Sequence, residues 1–277
     1  MTPTLAKRMR PILGTFVEIG AFMHDQKESV LNQVFNKIEC IHNQMSFHDP
    51  NSALSILNKS PGKWIDLPNE TLSVMRKAKQ LSLDSDHLFN CTLGGYLVTK
   101  NILPNHFVHS FEPSGKASDI EIRTHQARLT APVLISLDGI AKGYAVDLAI
   151  DIMKQHNIVA GWVNAGGDLK VFGDLTLPVS QRQKQASLQP LVQLNNQALA
   201  SSEVHSQSNA RFPGQIIDNT GLQPKPGVIS VMAKDTWLAD GLTKVLALQP
   251  ESERYATAKR FNAKYLSSSA STNRTTL

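Results

Sequence analysis

The sequence predicts an α+β fold, with mixed, largely antiparallel sheets packed against helices in one compact domain. Three observations carry this. Short β-forming runs interleave with helical patterns, without the strict alternation of a parallel α/β sheet. Turns of hairpin length join several of those runs, above all Asn164-Ala165-Gly166-Gly167-Asp168. No internal repeat interrupts the 277 residues, and no segment approaches the roughly 18 apolar residues of a membrane helix.

Taken in order, residues 13–22 are rich in β formers and predict a first strand. Residues 27–45 place Val30, Leu31, Val34, Phe35, Ile38 and Ile41 at helical spacing. Asp49-Pro50-Asn51 is turn chemistry, and Ser52 suits the cap of a short helix. Residues 69–84 predict a second long helix, with Asn69 as its cap and Leu72, Met75, Ala78 and Leu81 on its apolar face. Gly94-Gly95 allows a close backbone approach, to a ligand or to another element. Residues 99–118 read as a solvated loop; His106 and His109 are three apart, but no further ligand stands at zinc spacing. Two short strands are expected within 119–137, and strands again at 158–163 and 169–172. The Gln-, Ser- and Asn-rich residues 174–209 predict mostly loop, with an edge strand at 191–194. Residues 215–221 end a strand in a turn, 227–233 alternate as a strand, and 236–248 form a helix. A last helix is expected over 254–266, and a Ser/Thr-rich frayed tail over 267–277.

Net charge is +5 and the pI about 9.2, which suits an anionic small molecule as well as nucleic acid. No run of five basic residues and no basic stripe with interleaved aromatics occurs, so no nucleic-acid partner is expected. Cys40 and Cys91 match no metal spacing and point to a reducing compartment. Lys7, Arg8 and Arg10 precede no apolar stretch of secretory length. A cytoplasmic protein without membrane insertion is expected; the sequence fixes no oligomeric state.

The chain is organised around Ser136-Leu137-Asp138-Gly139-Ile140-Ala141-Lys142-Gly143-Tyr144-Ala145-Val146-Asp147. A β-like run, 133–137, leads into a glycine-punctuated turn. A helix leaves it with Ala145, Val146, Ala149, Ile150 and Met153 on one face. Such a junction aims helix N-terminal amides at one point, and Lys142 adds charge there, which makes an anion site. The plain alternative is an ordinary helix start with a solvated lysine.

Several separated blocks agree in one order: 13–16, 45–58, 89–94, 139–144, 163–168, 216–221 and Ala239-Asp240. Together, over about residues 10–248, they resemble the FAD:protein FMN transferases, the ApbE family. The resemblance implies a T-fold-like domain, here 10–266. It implies magnesium-dependent transfer of FMN from FAD to a threonine or serine hydroxyl of a target flavoprotein, with AMP leaving. It implies, residue by residue, Gly139 (through its carbonyl), Asp240, Thr243 and Lys244 at the metal, and Lys142 near the phosphates. Leu13, His48, Leu88, Phe89, Asn90 and Ile217 fall on flavin-nucleotide contacts. Gly166, Gly167 and Asp168 match a turn that shapes the pocket.

The departures lie in the same blocks. The usual Asp-Leu-Gly-Gly reads Ser136-Leu137-Asp138-Gly139. Because strand side chains alternate, Asp138 can point the way of Ser136 and partly replace the lost carboxylate. Gln215 stands for a usual histidine and does not titrate. Asn90 stands for an aspartate, Ser201-Ser202-Glu203 for Thr-Ser-Gly, and Lys244 for a threonine. An ammonium beside Asp240 competes with magnesium. Three readings stay open: an active transferase with an altered metal site; a FAD-binding protein of this fold with weak or no transfer, acting as a flavin hydrolase or carrier; and a different enzyme or interaction protein on a related scaffold.

Overall fold

The computed structural model describes residues 2–24, 28–182, 188–204, 216–221 and 223–267. It opens on a hairpin of β1 (Thr4–Ile12) and β2 (Thr15–Met23), joined through Leu13 and Gly14 at φ 61° and 69°. Positive φ at both loop residues matches the right-handed twist of paired strands. The sequence reading had no strand before residue 13. The pattern of β1 is polar because the strand lies at a sheet edge with most of its residues exposed.

α1 (Glu28–Met45) follows, then α2 (Ala53–Asn58), β3 (Ile65–Asp66) and α3 (Asn69–Asp84). Ser52 caps α2 as expected, its hydroxyl accepting from Ser55 N at 3.0 Å. For α3 the cap is Pro68, with no side-chain bond; Asn69 is already helical. α4 (Gly94–Thr99) begins where two glycines were read as a close approach. The approach is to protein: a Cβ on Gly94 would lie 2.6 Å from Leu134 O, and one on Gly95 2.1 Å from Glu112 O.

After a 3-10 turn at Ala117–Asp119 come β4 (Ile120–Ile122) and β5 (Gln126–Leu129). The run 133–137 is not a strand. It is extended and buried, and held by single contacts instead of a ladder. Asn58 bonds both N and O of Ile135 at 2.8 Å, Gly94 N donates to Leu134 O, and Ser136 N to Cys91 O.

α5 (Ala141–Gln155), β6 (Ala160–Ala165) and β7 (Asp168–Phe172) are next, the two strands joined through Gly166 and Gly167 at φ 62° and 103°. Two stretches expected as loop then form β8 (Thr176–Arg182) and β10 (Ala198–Val204), and the strand expected at 191–194 lies within the longer β9 (Leu188–Asn195). β11 (Gly227–Ala233), α6 (Thr236–Leu248) and α7 (Glu251–Arg260) complete the chain with β12 (Lys264–Leu266). The helix expected to reach 266 therefore stops at Arg260, and its last residues pair as an edge strand with β11. Residues 268–277, most of the expected tail, lie outside the described residues.

Seven strands form one antiparallel sheet in the order β1-β2-β6-β7-β10-β11-β12. α1, α5 and α6 pack on one face; Ala145, Val146, Ala149, Ile150 and Met153 are all buried there. The β8–β9 hairpin shields the other face, where Leu194 and partly buried Leu177 and Val179 cover Trp162, Val171 and Leu199. The smaller sheet is β3-β5-β4.

Candidate functional site

Helices α5 and α6 cross with their first turns almost in contact. Gly143 permits this: a Cβ there would lie 2.5 Å from Thr236 O. The crossing lets each helix satisfy the other's free N-terminal amides. Asp240, on α6, accepts from Gly143 N of α5 at 3.2 Å. Asp147, on α5, accepts from Thr236 N at 3.0 Å and Trp237 N at 2.9 Å, the opening amides of α6. Lys170 reaches in from β7 to Asp147, at 2.6 Å, and to Asp235, at 3.1 Å.

Four charges gather at this crossing. Lys142 Nζ bonds Asp168 Oδ2 at 2.5 Å and lies 3.8 Å from Asp240 Oδ2. Lys244 Nζ pairs with Asp240 Oδ1 and donates to Asp240 O at 3.1 Å. Both carboxylates are buried. Burial would push Asp240 up, but Lys142 and Lys244 hold its carboxyl below the ordinary value. For Asp168, burial followed by the charge of Asp240 outweighs the lysines, and the carboxyl is pushed up to about 6. Burial works against the charge of Lys142, yet Asp168 and Asp240 together raise it. The anion expected at the start of α5 is thus Asp240 itself. Ala141 N is taken by Leu137 O, so the amides do not form an open phosphate cradle. The cations that line the cavity are the two lysines, each paired with a buried carboxylate.

Beside the crossing lies a cavity of about 270 Å³. Its wall includes Leu88, Phe89 and Asn90 from the loop after α3, Ser136, Asp138 and Gly139 from the turn before α5, then Lys142, Ile217 and Lys244. Ser136 and Asp138 do face one way, the serine hydroxyl donating to Asp138 Oδ2 at 2.9 Å. Asn90 ties two loops together: its amide donates to Gly115 O at 3.1 Å and to Asn219 Oδ1 at 2.8 Å, which a carboxylate in its place could not do.

Other predicted residues sit elsewhere. Asp240 and Thr243 are fully buried behind the wall, and the Thr243 hydroxyl bonds Asp240 O and Ser202 Oγ, each at 2.7 Å. Gly166 and Gly167 form the turn next to Asp168, with Gly166 pressed on Thr15. Leu13, in the β1–β2 turn, and His48, exposed before α2, are not among the lining residues. Gln215 lies outside the described residues. His109 is half-buried in that loop, with Nε2 2.9 Å from Asn58 O and Nδ1 2.9 Å from Ser110 O. The sequence reading did not place Ser202, Glu203, Ile216 and Leu248 at the cavity. The first two were visible only as a departure from a familiar segment.

A profile described as the ApbE family matches residues 13–266. The chain belongs to the ApbE family. Curated relatives carry the name FAD:protein FMN transferase. The Haemophilus influenzae protein is 28% identical over 144 residues, 47% of this chain and 42% of its own length. The Klebsiella pneumoniae protein is 22% identical over 60% of this chain and 55% of its own. For the Vibrio cholerae protein the figures are 23%, 90% and 83%. The chain thus spans about half the length of the first two of these ApbE relatives. Among solved structures, the ApbE protein of Thermotoga maritima superposes with a TM-score of 0.83 at 21% identity, covering 95% of this chain and 93% of its own. The apo flavinyl transferase ApbE of Pseudomonas stutzeri gives 0.79 at 21%, covering 93% and 88%. These likenesses establish the α+β ApbE fold.

The resemblance implies magnesium held by Gly139, Asp240, Thr243 and the position of Lys244. They do not fit it. The Asp240 carboxylate is already matched by Lys244 and by Gly143 N, and the Thr243 hydroxyl is spent on protein partners. Among the described residues no group of three His, Cys, Asp or Glu side chains is placed to hold a metal.

Proposed function

We propose that this chain splits the pyrophosphate of FAD and transfers FMN to a threonine or serine hydroxyl of a target flavoprotein, releasing AMP. The observation that carries the reading is the joint presence of Lys142 and Lys244 on a cavity wall shared with Leu88, Phe89 and Ile217. Cations suit a pyrophosphate, and the apolar side chains suit a flavin ring. The acceptor oxygen bonds to the flavin-side phosphorus, the bridging P–O bond breaks, and the bridging oxygen leaves on AMP. The two ammonium groups balance the charge that grows on the phosphoryl oxygens and on the leaving oxygen. The hydroxyl proton passes to a wall carboxylate, Asp138 or Glu203, since Gln215 does not titrate. No step is routed through a metal, because the donor set does not fit one.

The reading includes a cytoplasmic location, which the free thiols of Cys40 and Cys91 support. Among the described residues no helix is long and apolar enough to cross a membrane.

A second reading, FAD binding without transfer, is favoured by Gln215 and Lys244 in place of a usual histidine and threonine. Incubation with FAD and a candidate flavoprotein subunit separates the two. Flavin fluorescence that stays on the subunit after denaturation, with one AMP released per flavin attached, is expected. Bound FAD with neither product would establish the second reading. Lys142→Met is expected to slow transfer by about a hundredfold, and an undiminished rate would remove Lys142 from the reaction.

A further inference from the structure

We infer that the Lys244 ammonium takes the place of a divalent cation in this chain, so that FAD binds here without metal. The inference deepens the reading just given and rests on it.

Three observations converge on Lys244. Its Nζ lies against two of the three acceptor oxygens of Asp240, the carboxylate Oδ1 and the main-chain carbonyl. Its Cε is 3.6 Å from where a Cβ on Gly139 would stand, so the side chain reaches the turn before α5 as well. The side chain is only 19% exposed, yet it lines the cavity. An ammonium has three N–H donors. Two of these acceptors belong to Asp240, which leaves donor capacity toward the cavity.

The surroundings also exclude a shared arrangement. A dication bound to Asp240 and the Gly139 carbonyl would stand beside the ammonium and be repelled by it. Lys244 cannot withdraw without leaving a buried carboxylate short of a partner, because Lys142 lies 3.8 Å away and is committed to Asp168 at 2.5 Å. Thr243 offers no alternative oxygen, being fully buried and bonded to Asp240 O and Ser202. The site therefore carries its own positive charge on the protein, fixed by α6.

The test uses the whole chain, stripped with EDTA, and two titrations. In the first, magnesium alone is titrated calorimetrically into wild type, Lys244→Thr and Lys244→Gln. Wild type is expected to give no heat of site binding, and Lys244→Thr to bind one equivalent. Magnesium bound by wild type at the same affinity as by Lys244→Thr would overturn the inference, whatever FAD does. In the second, FAD binding is followed by flavin fluorescence with EDTA or with millimolar magnesium. Wild type is expected to show the same Kd in both. Lys244→Thr should bind about tenfold more weakly in EDTA and recover with magnesium. A wild-type Kd that tightens about tenfold with magnesium, or a Lys244→Thr Kd unchanged in EDTA, would overturn it. Failure of FAD to bind wild type under either condition would overturn the transferase reading as well, which the magnesium titration distinguishes. Lys244→Gln keeps hydrogen-bonding capacity without charge. It is expected to melt at a lower temperature than wild type, because Asp240 stays buried with less countercharge, and to lose FAD affinity in EDTA at a temperature where it is still folded; full affinity in that variant also counts against the inference.

Discussion

Asp168 and Asp240 are two buried carboxylates in one charge cluster, and their environments push them in opposite directions. Asp168 is raised to about 6 by burial and by its acidic neighbour, whereas two lysines hold Asp240 low. The signs of their pH effects differ accordingly. A carboxyl raised in the folded state contributes stability that is present below its ordinary value of 3.8 and is lost as pH rises through about 6. A depressed carboxyl contributes stability that is present above its ordinary value and is lost as pH falls. Asp168→Asn removes the first contribution and leaves the second. The stability of wild type relative to Asp168→Asn is therefore expected to decrease from pH 4 to pH 6 and then level off. Parallel thermal melts of the two proteins across that range check this. A constant difference would mean that Asp168 titrates alike in the folded and unfolded wild type, and would remove the burial argument.

At the scale of elements, the decisive contact is the crossing of α5 and α6. Its closeness depends on one missing methyl group, at Gly143. Gly143→Ala would set a Cβ 2.5 Å from Thr236 O, a main-chain atom that cannot rotate away. The variant is expected to lose about 1–3 kcal/mol of stability and to weaken FAD binding together with it, measured by denaturant unfolding and fluorescence titration. Full stability would mean that the helices part freely. Elements with a clear period were legible in the sequence: α1, α3, α5 and α6 have apolar faces at helical spacing; β11 was legible as a strand, although it is buried on both faces instead of alternating. What escaped was structure that depends on partners. β10, with Ala198, Ala200, Ser201 and Ser202, has poor intrinsic strand preference. It is a strand because β7 and β11 flank it, and its alanine Ala200 packs with Ala233 and Ala239 where α6 passes over. β8 and the residue before it had a readable alternation, Leu175, Leu177 and Val179, hidden within a glutamine- and serine-rich stretch. The extended run 133–137 has a β composition, but Asn58 occupies the position a neighbouring strand would take.

For the whole molecule, the site was legible to the extent that it depends on residues near one another in sequence. Ser136, Asp138, Gly139 and Lys142 share a turn, and the structure sets them on one wall. The pairing of Lys142 with Asp168, and the approach of Lys142 to Asp240, was not legible, because it needs three elements brought together by the sheet. The same holds for the reciprocal caps. Gly143 N is satisfied from α6, and Thr236 N and Trp237 N are satisfied from α5. These amides are expected to exchange with solvent hydrogen at the rate of central sheet amides such as Val163 and Val231, measured by native-state exchange. Early exchange at Gly143 alone would show that its cap opens locally.

That mutual capping bears on how the chain acquires its binding competence. Each helix has its first amides satisfied by the other, and one of the two capping residues, Asp240, also carries a charge of the site. A nascent chain in which only α5 had formed would have an open helix end and an unpaired Lys142. The catalytic geometry and the interior packing are consequently expected to arrive in one cooperative event, leaving no folded but incompetent species for a flavin to rescue.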